Sequence, residues 1–252
     1  MSELFSIQLQ NRQQQGRDGV WLDLPTTTEQ VQAALRQIGI SSDNPQGLFI
    51  SGYFAEEEKR FAIPYNMVLA SNVDELNFLA ARLETLSAGE RAELNAALQA
   101  PQSELFSIGR ITDFPENVDY YVHLPDVHGP AQLGDYYLNR SGMVDMPEEW
   151  KGGIDTAQFG RYVAQQEQGV FTQYGYLVKS GDEWQKVHEG QPVPEEYRVL
   201  SFPAPEVLRD SANIPPPVQP ETEPQKVIPI ILNGKDSAER MKEITDRLET
   251  GI

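Results

Sequence analysis

Over the first seventy residues, the apolar positions switch between strand-like and helix-like spacing. Apolar residues alternate with polar ones in FSIQLQ (5–10), which is the spacing of a half-buried β-strand. VWLDLP (20–25) and GLFISGYF (47–54) fit two further strands, and TTTEQVQAALRQIGI (26–40) has the threonine start and apolar spacing of a helix. The pattern predicts a small N-terminal α+β subdomain over residues 1–70.

Helical spacing is clearest in the next segment, residues 71–115. NVDELNFLAARLETL (72–86) places six apolar residues on one helical face. Ser87 and Glu90 follow with the spacing of a capping box, and a second apolar helical pattern runs to Ala100. We predict a helical hairpin in a central helical subdomain. The six residues are Val73, Leu76, Leu79, Ala80, Leu83 and Leu86.

The hexapeptide SELFSI occurs twice, at residues 2–7 and 103–108. In the second copy, Leu105, Ile108 and Ile111 are three residues apart, which is closer to helical spacing than to alternation. No longer period accompanies the identity, so it does not indicate a repeat architecture. We interpret it as a coincidence, with the first copy in a strand and the second in a helix.

Residues 116–200 return to a mixed pattern and predict a C-terminal α+β subdomain. VDYYVHLP (118–125) predicts a strand, while PAQLGDYYLNRSG (130–142) and IDTAQFGRYVAQQEQ (154–168) predict helices. The apolar runs on either side of SGDE (180–183) predict a hairpin.

The composition changes after residue 200. Seven prolines between residues 203 and 224 predict a stiff linker over 201–225. Residues 226–252 predict a short strand and a helix, which would be the start of a further domain. The whole pattern predicts an elongated α+β chain of three small consecutive subdomains, followed by the Pro-rich linker and a terminal helix.

Charge narrows the range of partners. The chain has 38 acidic and 20 basic residues, a formal net charge of −18. Half of that excess, a net −9 from sixteen acidic and seven basic residues, lies between residues 101 and 200. Such a protein repels nucleic acid and anionic membranes and is attracted to basic surfaces. No apolar stretch is long enough for a membrane span, and the N-terminus has no signal core. We therefore expect a cytoplasmic protein with no direct nucleic-acid or membrane binding.

Catalytic patterns are absent from the sequence. Without cysteine there is no thiol nucleophile and no Cys-based zinc site. HLPDVH (123–128) places Asp126 between His123 and His128, but the spacing matches no common zinc motif. A metal-dependent enzyme at these histidines would require stoichiometric metal. No nucleophile elbow, phosphate loop or dinucleotide fingerprint occurs. We expect no enzymatic activity, no cofactor and no metal.

The acidic residues of the middle region occur singly and in pairs, unlike the continuous block of a disordered acidic tail. This distribution indicates a folded surface that carries carboxylates and binds a basic partner. The predicted partner-binding residues are Asp113, Glu116, Asp119, Asp126, Asp135, Asp145, Glu148, Glu149 and Asp155.

Two long segments resemble the ArdA family of antirestriction proteins: ELNFLAARLETLSAGERAELNAAL (75–98) and LGDYYLNRSGMVDMPEEWKGGIDTAQFGRYVA (133–164). VWLDLP and GVFTQYGY (169–176) fit the same order, so the resemblance covers about residues 3–178. It implies an acidic, dimeric, three-part α+β protein of a mobile genetic element. It also implies that the chain mimics duplex DNA and occupies the DNA-binding groove of type I restriction–modification enzymes.

The resemblance also implies a family motif at Tyr136, Tyr137 and Gly142, near a possible dimer interface. The alternative is that the two tyrosines are core residues. In the family, acidic residues follow the tyrosine pair, whereas this chain has Leu138–Arg140. That departure leaves open an alternative function, an acidic module that docks another basic host or conjugation protein. Finally, SAERMKEITDRLETGI (237–252) resembles the opening helix of an ArdC-type domain.

Overall fold

A computed structural model describes residues 4–14, 18–56, 60–101 and 103–205. Helices and two small antiparallel sheets make up this part of the chain, which confirms the predicted α+β class. In chain order the elements are β1 (Phe5–Asn11), β2 (Val20–Leu24), α1 (Thr28–Gln37), β3 (Leu48–Phe54), α2 (Tyr65–Leu69), α3 (Val73–Glu84), α4 (Ala88–Gln99), α5 (Ile108–Thr112), β4 (Tyr121–Leu124), α6 (Pro130–Asn139), α7 (Glu148–Lys151), α8 (Thr156–Glu167), β5 (Val170–Thr172) and β6 (Gly175–Lys179).

The N-terminal sheet has β1 at its centre, with β2 and β3 antiparallel on either side. Alternation along β1 directs Phe5, Ile7 and Leu9 into the core, as the sequence predicted. α1 begins after Thr27, whose hydroxyl forms a capping box with Gln30. The buried face of α1 belongs to the same core as β1.

α3 and α4 form the predicted helical hairpin. Each begins with a capping box, Asn72 with Glu75 and Ser87 with Glu90, which confirms the predicted Ser87 cap. All six apolar residues predicted on one face are buried. Their burial places this hairpin in the main core, together with β1 and α1.

The second SELFSI copy is not a helix over most of its length. Residues 103–107 are irregular, and α5 begins only at Ile108. The Ser107 hydroxyl accepts the Arg110 N–H at 3.2 Å and so starts that helix. The predicted helix is therefore wrong before Ile108. A serine that caps a helix lies outside it, although Leu105 is still buried.

In the C-terminal sheet, β6 lies between β4 and β5 and is antiparallel to both. The β5–β6 hairpin turns at residues 173–174, so the prediction of a hairpin around residues 180–183 is wrong. The Thr172 hydroxyl accepts the Tyr174 N–H at 3.1 Å, and Gly175 follows with a φ of +120°. Glycine adopts such a positive φ with little steric cost, so Gly175 favours a turn at this position.

Residues 184–203, which we call the strap, form no strand and follow an irregular path with a turn around Gly190 and a short 3-10 helix at Glu195–Tyr197. The Asn117 amide exchanges two hydrogen bonds with the backbone near the start of the strap. Towards its end, Asn77 donates to one strap carbonyl and Asp74 accepts two strap N–H groups at 2.7 Å. The Ser42 N–H then binds a carbonyl at 2.9 Å. The strap therefore links the helical hairpin with the segment before β4 and with the segment between α1 and β3.

One main core extends from Leu4 to Val199, and a smaller one contains Val127, Leu133 and Tyr176. The described residues belong to one compact unit. The division into subdomains at residues 1–70, 71–115 and 116–200 stays a prediction. Most of the predicted linker, and all of the predicted strand and helix over 226–252, lie outside the described residues. None of the described helices is both long and apolar enough to span a membrane.

Candidate functional site

The helices predicted at 130–142 and 154–168 are α6 and α8, and they pack backbone against backbone. A Cβ atom added at Gly134 would overlap the Thr156 carbonyl, and one added at Gly160 would overlap the Pro130 carbonyl. Only residues without a side chain permit this approach. The two helices of the longer family-like segment, residues 133–164, are therefore in direct contact.

The tyrosine pair belongs mainly to the smaller core. The hydroxyls of Tyr137 and Tyr176 both donate to the carboxylate of Glu167, the latter at 3.0 Å. Burial, with a further contribution from Glu167, raises the pKa of both tyrosines. The ring of Tyr136 packs edge-on against Tyr137, with 5.6 Å between centroids. Leu138, which follows the tyrosine pair directly, is buried.

Gly142 lies just beyond the end of α6 and is exposed. It has a φ of +70°, and no neighbouring atom lies within 4 Å of an added Cβ. Backbone conformation, not crowding, therefore favours glycine at this turn.

Asp113 is not part of the surface, contrary to the prediction. Its side chain is 0% exposed and accepts the N–H groups of Val187, His188 and Glu189 at 3.2, 2.6 and 3.1 Å. These three donors satisfy a carboxylate that would otherwise be too costly to bury. Asp113 holds the strap and is unavailable to a partner.

Three more of the predicted acidic residues form ion pairs. Glu116 pairs with Arg82, Asp135 with Arg140 at 3.0 Å, and Glu148 with Lys151 at 2.6 Å. Between residues 116 and 155 the chain has eight acidic and two basic residues, and both of the basic ones are in these pairs. The local negative charge is therefore only partly neutralised.

Asp155 is exposed but has a structural contact. It is the N-cap of α8, and its Oδ1 accepts the N–H groups of Ala157 and Gln158 at 2.9 and 3.0 Å. A carboxylate at this end also interacts favourably with the helix dipole. The Asp155 carboxylate therefore caps α8 and is at the same time exposed to solvent.

Four of the nine predicted residues remain as open carboxylates: Asp119, Asp126, Asp145 and Glu149. Each is exposed, and none forms an ion pair with another residue in the described ranges. These four residues, which we call the open carboxylates, are the part of the predicted surface that is free to meet a basic partner.

The histidines do not assemble the site that HLPDVH suggested. His123 Nε2 donates to the Tyr174 carbonyl at 2.7 Å, and His128 is exposed. A different group, Asp113, Glu116 and His188, places ligand atoms within 4.8 Å of one another. Three N–H groups surround the Asp113 carboxylate, however, and Arg82 pairs with Glu116. A cation there would meet positive charge, so the group does not fit a metal.

Sequence reasoning missed two exposed apolar side chains in the residue range 143–155, which we call the acidic loop. Met143 is 75% exposed and Trp150 is 67% exposed. The signal was the segment MPEEW, where a tryptophan follows two glutamates and belongs to no strand or helix period. A groove of about 1100 Å³ between α3, α5 and the strap was also missed, because its walls come from segments far apart in sequence.

Comparison with known families matches residues 15–178 to the antirestriction protein (ArdA) family. No curated protein matches the chain. The resemblance of residues 237–252 to an ArdC-type domain is not supported by the family comparison. That segment lies outside the described residues. The match covers most of the chain, including both glycine-packed helices and the open carboxylates. The protein therefore belongs to the ArdA family of antirestriction proteins.

Proposed function

We propose that this protein inhibits a type I restriction–modification enzyme by placing surface carboxylates where the enzyme binds DNA phosphates. Family membership supports an antirestriction role. The observation that carries the mimicry is the set of four open carboxylates, in a stretch with eight acidic and two basic residues. A groove built for DNA is lined by lysine and arginine, and this stretch has the opposite charge.

A folded scaffold supports the proposal, because it fixes where the charges lie. The close contact between α6 and α8 at Gly134 and Gly160 fixes the two helices that flank Asp145 and Glu149. B-DNA carries one negative charge per about 1.7 Å of its axis. Carboxylates on a fixed surface replace some of these charges without the ordering cost of a flexible acidic tail.

Inhibition of this kind requires binding only. The protein competes with DNA for one groove, and long-range attraction accelerates the encounter at low salt.

We propose that it acts in the cytoplasm as a homodimer, with the segment of Tyr136, Tyr137 and Gly142 near the interface. Tyr137 is held by Glu167, so Tyr136 and the turn at Gly142 are the parts of that segment left for a partner copy.

The test is competition between this protein and a labelled duplex for a type I restriction–modification enzyme, at about 50 mM and about 200 mM salt. We expect the wild-type protein to displace the duplex, and to do so less well at the higher salt. Replacing the open carboxylates (Asp119→Asn, Asp126→Asn, Asp145→Asn, Glu149→Gln) should weaken displacement about tenfold or more at low salt and flatten its salt dependence.

A matched control removes four exposed charges elsewhere: Asp18→Asn, Asp43→Asn, Glu195→Gln and Glu196→Gln. This control has the same net charge as the test variant, so a general electrostatic effect would weaken both equally. Equal weakening would reject the open carboxylates as the binding surface. No displacement by the wild-type protein at low salt would reject the proposed function.

The second candidate is an acidic module that docks a different basic protein. It is favoured by Arg140, a basic residue three positions after the tyrosine pair, which forms an ion pair with Asp135 and so lowers the negative charge there. If the wild-type protein leaves the duplex bound, capture of a basic host or conjugation protein through the open carboxylates becomes the expected result.

A further inference from the structure

Trp150 differs from the other two tryptophans in having no aromatic or cationic partner among the described residues. Trp21 packs edge-on against Phe54, and Trp184 packs against Tyr120 and beneath Arg110. Trp150 is the most exposed of the three, at 67% against 49% for Trp21. Exposing an indole gives up the free energy of burying its large apolar surface, so its position calls for a role outside the core.

The indole is mounted on an ordered turn. The Trp150 N–H donates to the Pro147 carbonyl, and the Trp150 carbonyl accepts the Gly153 N–H, both at 3.0 Å. Beside it, Glu148 and Lys151 form an ion pair at 2.6 Å in which the lysine side chain is only 15% exposed. The backbone that carries the indole is thus already ordered, so binding a partner costs less backbone conformational entropy.

The charges around Trp150 indicate what covers it. Asp145 and Glu149 are exposed and belong to the open carboxylates. Two copies of this chain meeting at Trp150 would bring these carboxylates towards each other, which is unfavourable. A partner lined with lysine and arginine is attracted instead. The local charge therefore argues against a second copy and for a basic protein.

We propose that Trp150 is an apolar anchor that inserts into the basic DNA-binding groove of the restriction–modification enzyme, while the surrounding carboxylates pair with its cations. The inference rests on the proposed function and adds a specific contact to it. Tryptophan is enriched among the few interface residues that dominate binding energy. In a groove shaped for DNA, an indole also resembles a base in offering a flat face for stacking. Met143, 75% exposed in the same loop, is a second apolar contact.

The same competition assay tests the anchor with Trp150→Ala, Trp150→Phe and the control Trp21→Ala. We expect Trp150→Ala to weaken displacement about tenfold or more at both salt concentrations, with an unchanged salt dependence. An apolar contact is insensitive to salt, unlike the loss of carboxylates. Trp150→Phe should retain most of the affinity, and Trp21→Ala should retain all of it. An unchanged melting temperature for Trp150→Ala would show that its fold is intact.

Each failure has a distinct signature. Full displacement by Trp150→Ala, with the open-carboxylate variant still impaired, would overturn the anchor and leave the proposed function standing. A wild-type protein that displaces nothing would overturn both. If sedimentation shows that Trp150→Ala dissociates a dimer, Trp150 faces a second copy and the proposed partner is wrong.

Discussion

Asp113 under the strap and Asp145 in the acidic loop are the same residue type in opposite surroundings. Asp113 has no exposed surface and accepts three backbone N–H groups, whereas Asp145 is exposed to solvent. The charge of Asp113 interacts with fixed dipoles at short range, in a medium that screens poorly. Water and dissolved ions screen the charge of Asp145, so it attracts a distant partner only at low salt.

Negative charge on this chain therefore has a structural use, which the contacts show, and a second use in binding, which we propose. Asp113 and Asp74 hold the strap, and their removal should affect folding. The open carboxylates should affect binding and leave folding nearly unchanged, since exposed charges contribute little to stability. Net charge alone therefore overstates the surface that a partner meets.

The largest predicted effect comes from Asp113→Asn. The substitution keeps the shape but removes one acceptor oxygen and places an amide NH₂ against backbone N–H groups. We expect a loss of about 3 kcal/mol in the free energy of unfolding, measured by urea denaturation. Limited proteolysis should then cut within residues 184–203 much faster.

The control for that experiment is Asp119→Asn, six residues further along and exposed. Its free energy of unfolding should stay within about 0.5 kcal/mol of the wild-type value. A similar loss from both variants would contradict this prediction. It would mean that burial does not determine how much a carboxylate of this chain contributes to folding stability.

The sequence predicted the regular elements well and the strap not at all. The alternation in β1 and the one-sided apolar stripe of α3 are local patterns, so they could be read directly from neighbouring residues. The strap has no such pattern. Its path depends on two asparagines, Asn77 and Asn117, and on two carboxylates, the buried Asp113 and the half-buried Asp74. Each lies 68 or more residues away from the groups it binds. No spacing rule connects positions so far apart.

The predicted site was limited by the same problem. Asp113 and Asp119 look alike in the sequence, and only the fold shows that one is enclosed by the residues after Lys186. Trp150 was overlooked because exposure is a property of tertiary structure, and tryptophan is usually at least partly buried. Charge excess pointed to this region of the chain, and contacts then separated the open carboxylates from the rest.

Glu93 is intermediate between the buried Asp113 and the exposed Asp145. It is partly buried in α4, and its Oε1 has no hydrogen-bond partner among the described residues. Burial raises the pKa of Glu93 to about 8, and the nearby Glu90 and Asp119 add to the rise. The folded state therefore holds a proton that the unfolded state releases near its ordinary pKa of 4.5. This contribution to stability is present at low pH and is lost as the pH rises towards 8.

We expect Glu93→Gln to remove this pH dependence. Because Glu93 is only partly buried and solvent screens part of the effect, the variant should be roughly 1–2 kcal/mol more stable than the wild type near pH 9. Near pH 4.5 the two should be nearly equal. Urea denaturation at both pH values measures the difference, with the exposed Glu196→Gln as a control. Parallel curves for wild type and Glu93→Gln would contradict a buried, protonated Glu93.

The smallest predicted effect concerns Asp155, an exposed carboxylate that also caps α8. Asp155→Ala should destabilise the protein by about 1 kcal/mol, because two N–H groups at the start of α8 lose their acceptor. Asp155→Asn keeps a good capping side chain and should be nearly neutral for stability. Since it also removes the charge, it isolates the electrostatic contribution to binding. Weaker duplex displacement by Asp155→Asn, at unchanged stability, would add Asp155 to the binding surface, whereas full displacement would restrict its role to the cap.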